Sequence, residues 1–242
     1  MIRPQPGPQT RFLGIPADIA IYGGAAGGGK SFALLLEPTR HLQVQGFAGV
    51  VFRRTLADVK KPGSLWDTSV PLFGNIGGRP RQDNLTWTFS EATKIVFGHL
   101  EHEGTVLDWQ GAQIPFIGFD ELTHFTRAQF FYMLSRNRSM CGVRPYIRAT
   151  TNPDADSWVA ELISWWIDQA TGIAIPERSG VIRWFARIGD VLVWADTKEQ
   201  LLAHHPDLDR DQPKSLTFIG ARLEDNAILM AADPGYRANL MA

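Results

Sequence analysis

The chain has a single cysteine, Cys141, among 242 residues, which excludes an internal disulfide and a four-cysteine zinc site. A reducing, cytosolic setting suits such a sequence. No run of about 18 apolar residues occurs, so no membrane-spanning helix is expected. The first eight residues, Met-Ile-Arg-Pro-Gln-Pro-Gly-Pro, contain no apolar signal core. Charge of one sign is also missing. With 24 Lys and Arg against 25 Asp and Glu the formal net charge is −1. No global basic field draws in nucleic acid, so any DNA contact must come from a local patch or from several copies acting together. Internal repeats and low-complexity tracts are absent. What remains is ordinary globular composition, 44% hydrophobic and 20% charged, enough for one sizeable α/β core with a small appendage.

Glycine is where the sequence concentrates. Residues 23–31 read Gly-Gly-Ala-Ala-Gly-Gly-Gly-Lys-Ser. Gly24, Ala25, Ala26, Gly27, Gly28, Gly29, Lys30 and Ser31 form a phosphate-binding loop, with Phe32 following. Before it, Asp18-Ile-Ala-Ile-Tyr22 reads as an apolar strand. After it, Ser31 to Leu36 opens a helix. A helix start presents N–H groups and partial positive charge to an anion, and glycines let the backbone wrap phosphates without a Cβ in the way. Lys30 is expected on the β- and γ-phosphates of ATP and the Ser31 hydroxyl on Mg²⁺.

The rest of the chain alternates strands and helices. Residues 1–16 are Pro-rich and read as irregular. The helix after the loop is expected to run to about Gln45, stopped by Gly46. Ala48–Phe52 reads as a buried strand, followed by Arg53-Arg54 and a short helix capped by Thr55 and broken by Pro62-Gly63. Residues 73–83 carry turn signals. Leu85–Phe89 and Lys94–Gly98 alternate around Ser90-Glu91-Ala92, which predicts a hairpin. Ile114–Phe119 is an apolar strand, a helix is expected from Arg127 to Leu134, and Val143–Ala149 is another core strand. The fold class expected is α/β, a P-loop NTPase with a mostly parallel sheet covered on both faces. Past about 155 the pattern changes. A helical Trp158–Ile167, strands at 181–185 and 191–194, a helix at 197–203, a strand at 215–219 and a helical 236–242 suggest a second layer or small subdomain. The expected division is an ATPase core over 1–155 and a lid or linker subdomain over 156–242.

The strand Ile-Pro-Phe-Ile-Gly-Phe ends in Asp120-Glu121. Ligands of open α/β sheets collect at the carboxyl edge of the strands. Asp120 is expected to hold Mg²⁺ through water, and Glu121 to polarise the water that attacks ATP. Thr150-Thr151-Asn152 ends another core strand, where polar groups can face the γ-phosphate; the same cluster is also a good turn before Pro153.

Three motifs in order, Gly-Gly-Ala-Ala-Gly-Gly-Gly-Lys-Ser, Phe-Ile-Gly-Phe-Asp-Glu-Leu-Thr and Ala-Thr-Thr-Asn-Pro, resemble the large terminase subunit of tailed bacteriophages. Val-Val-Phe-Arg-Arg, Leu-Ser-Arg-Asn-Arg-Ser at 134–139 and Leu-Glu-Asp-Asn…Asp-Pro-Gly-Tyr-Arg at 223–237 add to the likeness, which runs from about Gln9 to the end. The resemblance implies an ATPase that drives double-stranded DNA into the procapsid as a homo-oligomeric ring. It further implies a portal protein and a small terminase subunit as partners, and the cytoplasm of the infected bacterial host rather than the mature virion as its location. It implies that Gln9 reads the adenine edge, and that Thr150, Thr151 and Asn152 couple hydrolysis to lid movement. Two departures stand out. Where some members carry an arginine in the phosphate loop this chain has Ala25-Ala26. The arginine finger must then come from Arg53, Arg54, Arg136 or Arg138, and Arg136 and Arg138 are expected to act from a neighbouring subunit. The family's C-terminal nuclease has no room in the 57 residues after Phe185, which points to an ATPase fragment or a gene split before the nuclease, with no nuclease activity in this chain.

Other readings compete. A helicase or other P-loop DNA translocase would show further helicase motifs. A nucleotide-gated assembly protein with negligible turnover would not need Glu121. His99, Glu101, His102 and Glu103 are metal-ligating residue types, but neighbours in an extended segment point to opposite faces. Trp158, Trp165 and Trp166 have the spacing of a packed helix face more than of a base-stacking surface. His124 is expected to cap or line the helix after Glu121.

Overall fold

The computed structural model describes residues 2–24, 27–90, 92–152, 154–233 and 235–236. In chain order the elements are α1 Pro8–Gly14, β1 Ile19–Gly24, α2 Lys30–Leu36, β2 Ala48–Arg53, α3 Leu56–Lys60, α4 Leu65–Gly74, β3 Arg79–Arg81, β4 Thr86–Thr88, β5 Lys94–His99, β6 Phe116–Phe119, α5 Arg127–Leu134, β7 Tyr146–Thr151, α6 Trp158–Leu162, β8 Arg183–Ile188, β9 Val191–Ala195, α7 Lys198–His204, β10 Lys214–Ala221 and α8 Ala227–Ala232.

The ten strands among the described residues join one sheet in the order β3-β4-β5-β2-β6-β7-β1-β10-β8-β9. The six from β5 to β10 in that order are parallel, and an antiparallel pair closes each side. The sheet is thus mostly parallel and flanked by helices, the architecture the strand-helix alternation predicts. Along β1 successive side chains go to opposite faces. Ala20 and Tyr22 enter a core with Phe12, Leu34 and Trp87, whereas Ile19 and Ile21 enter one with Phe119, Phe130 and Trp166. Both faces are covered, so the central strands read as continuous apolar runs rather than alternating ones.

Three placements differ from the sequence reading. Residues 8–14, expected to be irregular, form α1, with Pro8 in the first turn, where its missing N–H costs nothing, and Gln9, Phe12 and Leu13 buried. The helix after the loop ends at Leu36, not near Gln45, and Glu37–His41 tightens to a 3-10 turn around Pro38, which has no N–H to continue the ladder. The predicted Trp158–Ile167 helix is α6 followed by a 3-10 turn at Ser164–Trp166. The hairpin forms as expected, β4 against β5 in antiparallel register. Glu91 and most of the predicted 236–242 helix lie outside the described residues. The tail is not a separate layer throughout: β10 pairs in parallel with β1, Gly23 opposite Gly220 and Gly24 opposite Ala221. It therefore flanks the very strand that leads into the glycine loop.

Candidate functional site

The site lies at the carboxyl edge of the parallel strands, where β1, β7 and β6 stand side by side. β1 delivers the glycine loop. Gly24 has φ +132 and sits so close to the Ala221 carbonyl that a Cβ would strike that oxygen. Gly29 has φ +69 and stands at the N-cap of α2. Both conformations favour glycine. Ala25 and Ala26 lie outside the described residues. Lys30 is buried, its Nζ donating to the Gly24 carbonyl at 3.2 Å. Burial lowers its pKa to about 8, against the opposing pull of Asp120 and Glu121. The ammonium is thus held under tension between desolvation and two carboxylates, which favours pairing with an incoming anion.

β6 delivers Asp120, fully buried, and Glu121, half-buried. The Ser31 hydroxyl donates to Asp120 at 2.9 Å. From β7, Thr150 Oγ1 donates to Asp120 Oδ1 at 2.6 Å and accepts from the Glu121 N–H at 3.0 Å. β2 adds Arg53, almost buried, with Nε 2.7 Å from Asp120 Oδ2 and Nη1 3.3 Å from Glu121 Oε2. Glu121 has φ +61, rare for a residue with a Cβ, and this turn carries its carboxylate off the strand line. His124, in the following 3-10 turn, meets Glu121 Oε2 with Nδ1 at 3.1 Å rather than only lining the helix. Because β7 lies between β1 and β6, residues 89 positions apart in sequence are brought into contact.

The loop's carbonyls are held from outside. Gly27 O accepts from Asn226 Nδ2, Gly28 O from the Tyr22 hydroxyl at 3.3 Å, and Gly29 O from Gln9 Nε2 at 3.0 Å. Gln9 is buried, and its Oε1 accepts from the Gln5 N–H. Gln9 therefore touches the phosphate loop itself. Phe32, on α2, packs against the core. Thr151 is buried at the end of β7, opposite Gly23 in register, and Asn152 is exposed beyond it.

Arg136 and Arg138 are not brought to this edge of their own chain. They follow α5, with the Arg136 carbonyl accepting from Ile114 N and Arg138 donating to Ala112 O at 3.1 Å. That is the amino end of β6, roughly 20 Å along the chain direction from Asp120 at the usual rise per residue. Arg54 pairs with Gln129 Oε1 instead. Among the described residues no group of three or more His, Cys, Asp or Glu is placed to hold a metal, the 99–103 cluster included. The tryptophans pack: Trp166 is buried, Trp158 Nε1 donates to Phe125 O, and the Trp165 ring takes the guanidiniums of Arg178 and Arg183. Sequence reasoning missed Gln5, Tyr22 and Asn226 as supports of the loop. Asn226 had one signal, its place in the Leu-Glu-Asp-Asn stretch, which carried no role.

A family model described as terminase large subunit, T4likevirus-type, N-terminal, matches residues 21–240. No curated protein matches the chain. Among solved structures, the large terminase from a thermophilic bacteriophage has a TM-score of 0.60 at 13% identity, covering 97% of this chain and 50% of that one. The Thermus phage P74-26 large terminase ATPase domain has a TM-score of 0.55 at 13% identity, over 97% and 85%. The bacteriophage HK97 large terminase has 0.53 at 14%, over 98% and 49%. The chain therefore spans about half the length of the first and third of these proteins. The first is also known in complex with ADP and with ATP-gamma-S. At these identities the likeness is one of fold.

Proposed function

We propose, from the premise that this chain belongs to the T4likevirus-type terminase large subunits, that it is the ATP-hydrolysing motor part of a phage DNA-packaging machine. The observation that carries the reading is the Ser31–Asp120 contact at 2.9 Å beside a buried Lys30. A loop hydroxyl and a strand-end carboxylate converge there next to the loop's lysine. The complexes of the thermophilic bacteriophage's large terminase with ADP and ATP-gamma-S support a nucleotide as the ligand.

The donor set suits Mg²⁺, which prefers hard oxygen ligands in a compact shell. Ser31 Oγ and Asp120 Oδ1 would hold it, and when bound it would offset charge on the β- and γ-phosphates. Lys30 supplies a positive charge to the same phosphates. Glu121 takes a proton from water as the water oxygen bonds to the γ-phosphorus and the bond to the ADP oxygen breaks. Arg53 and His124 fix the Glu121 carboxylate, and Thr150 ties its backbone to β7. Thr151 and Asn152, next along that strand, are assigned to coupling, and Gln9 to the adenine side of the loop.

In this reading residues 1–155 carry the chemistry and 156–242 contribute the lid. The β8–β9 hairpin and α7, which share a small cluster of Ala186, Ala195 and Leu201 apart from the main core, are its moving part. Double-stranded DNA is the load. The portal protein and small terminase subunit are partners, a homo-oligomeric ring is the working form, and the infected host's cytoplasm is the setting. DNA cleavage is assigned to no residue of this chain. The test is a pair of variants. Lys30→Ala is expected to abolish nucleotide binding. Glu121→Gln is expected to bind ATP normally yet lose hydrolysis by about 10²–10³. Single-turnover hydrolysis measures both, and unchanged turnover in Glu121→Gln would contradict the assignment.

A further inference from the structure

We infer that Asn226 is a positioning residue of the nucleotide site, and that residues 221–233 together with Tyr236 are a clasp which sets the direction of the loop's N–H groups. The inference rests on the glycine loop being the phosphate site. In a trans peptide the C=O of one residue and the N–H of the next point in opposite directions. Holding the Gly27, Gly28 and Gly29 carbonyls therefore fixes where the N–H groups of Gly28, Gly29 and Lys30 point. Two side-chain amides hold two of these three carbonyls, and they come from the two ends of the chain. Asn226 Nδ2 donates to Gly27 O, and Gln9 Nε2 donates to Gly29 O. Gln5 joins them, its Nε2 donating to Asn226 Oδ1 at 2.8 Å and its N–H to Gln9 Oε1 at 2.8 Å. Asn226 is the node of this network. Its Oδ1 also accepts from Leu229 N at 3.2 Å, so the residue that grips the loop is the cap of α8.

Steric contacts point the same way. A Cβ on Gly27 would meet Tyr236 at 2.7 Å and Leu223 and Leu229 at 2.9 Å. A Cβ on Gly24 would strike Ala221 O. Side chains on both sides of Asn226 thus close over the loop from above, while Tyr22 supports it from the sheet below. Any change in loop geometry on phosphate binding must be felt at α8, because the same amide serves both.

The experiment uses variants that keep the cap and remove the grip. Ser and Asp both cap helices about as well as Asn. Asn226→Ser keeps an acceptor for Leu229 N but has no amide to reach Gly27 O. Asn226→Asp keeps both acceptor contacts and faces the carbonyl with a carboxylate oxygen. ATP-gamma-S and ADP affinities are measured by calorimetry on the full chain, with Tm and hydrogen exchange of residues 226–232 alongside. Asn226→Ser is expected to weaken both nucleotides by about five- to tenfold, the scale of one lost hydrogen bond, at unchanged Tm. Asn226→Asp is expected to lose more than tenfold. ATP-gamma-S is expected to slow exchange at 226–232 in the unaltered protein and not in Asn226→Ser. Affinity within twofold of the unaltered protein in Asn226→Ser overturns the inference, as does a loss confined to Asn226→Asp, which would reflect charge alone. A fall in Tm that tracks the fall in affinity would make Asn226 a cap and no more. Failure of the unaltered chain to bind nucleotide would instead strike the site reading itself.

Discussion

Lys30 carries the sharpest consequence at the scale of one residue. Its pKa is lowered from 10.5 to about 8, chiefly by burial. In the unfolded chain the amine keeps its ordinary value, so between about pH 8 and 10.5 the folded state binds fewer protons than the unfolded one. Lys30 therefore adds stability as pH rises through that window, and the contribution is lost as pH falls through about 8. Nucleotide binding has the opposite slope. Phosphates favour the ammonium, so above pH 8 binding must take up a proton, and the apparent Kd is expected to rise towards tenfold per pH unit. Calorimetry at pH 9 in two buffers of different ionisation enthalpy would show this uptake, and it should vanish at pH 6.5. Lys30→Met is expected to remove the stability slope above pH 8. A pH-independent Kd between 7 and 9.5 would sink this account of the lysine.

At the scale of elements, the joint between α1 and the sheet rests on a buried charge pair. Arg148 on β7 donates to the Ala17, Ile147 and Ile15 carbonyls, and its guanidinium lies 4.7 Å from the Tyr146 ring centre. Glu37, at the end of α2, is equally buried, with Arg148 Nε 3.8 Å away and Arg40 at 2.8 Å. Burial pushes the Glu37 carboxyl up, and the two arginines pull it back. Removing one member of such a pair leaves the other charge uncompensated. Arg148→Ala is expected to cost about 3–5 kcal/mol, read by urea denaturation. A loss under about 1 kcal/mol would show that Arg40 alone satisfies Glu37. Elements also show what sequence can carry. β1, β2, β6 and β7 were legible because parallel strands buried on both faces are short unbroken apolar runs. α4 was not, because Pro71 lies inside it and Trp66, Leu72 and Phe73 give it only a modest apolar stripe. α1 hid behind four prolines and glycines, although Phe12 and Leu13 anchor it.

At the scale of the whole molecule the site is assembled from distant pieces, and this limited what the sequence could carry. The loop and the Asp120-Glu121 pair announce themselves through local spacing. Arg53's grip on both acids, and the Gln5–Gln9–Asn226 network, join residues up to 221 positions apart and leave no local pattern.

The arginine finger belongs to the same scale. Arg53 stands in its own chain's site, whereas Arg136 and Arg138 sit at the opposite end of β6, with Met140 exposed two residues on. A head-to-tail ring pairs unlike surfaces of neighbouring subunits, and we propose that one subunit's carboxyl edge faces the next subunit's amino edge. In this proposed arrangement a neighbour's Arg136 or Arg138 would reach the phosphates, while Arg53 is a local partner of Asp120 and Glu121. A finger is worth about 10³–10⁵ in rate, so either loss is measurable. Each of Arg53→Ala, Arg136→Ala and Arg138→Ala is mixed with Lys30→Ala, which supplies an intact arginine but no turnover of its own. Recovery is expected with whichever of the Arg136 and Arg138 variants is inactive alone, since a mixed ring then joins an intact loop to a neighbour's intact finger. No recovery is expected with Arg53→Ala, because no subunit in that mixture holds both Lys30 and Arg53. Recovery with Arg53→Ala would move that arginine into the neighbour's site. Absence of recovery with both others, where mixed oligomers are shown to form, would reject a finger from the amino edge.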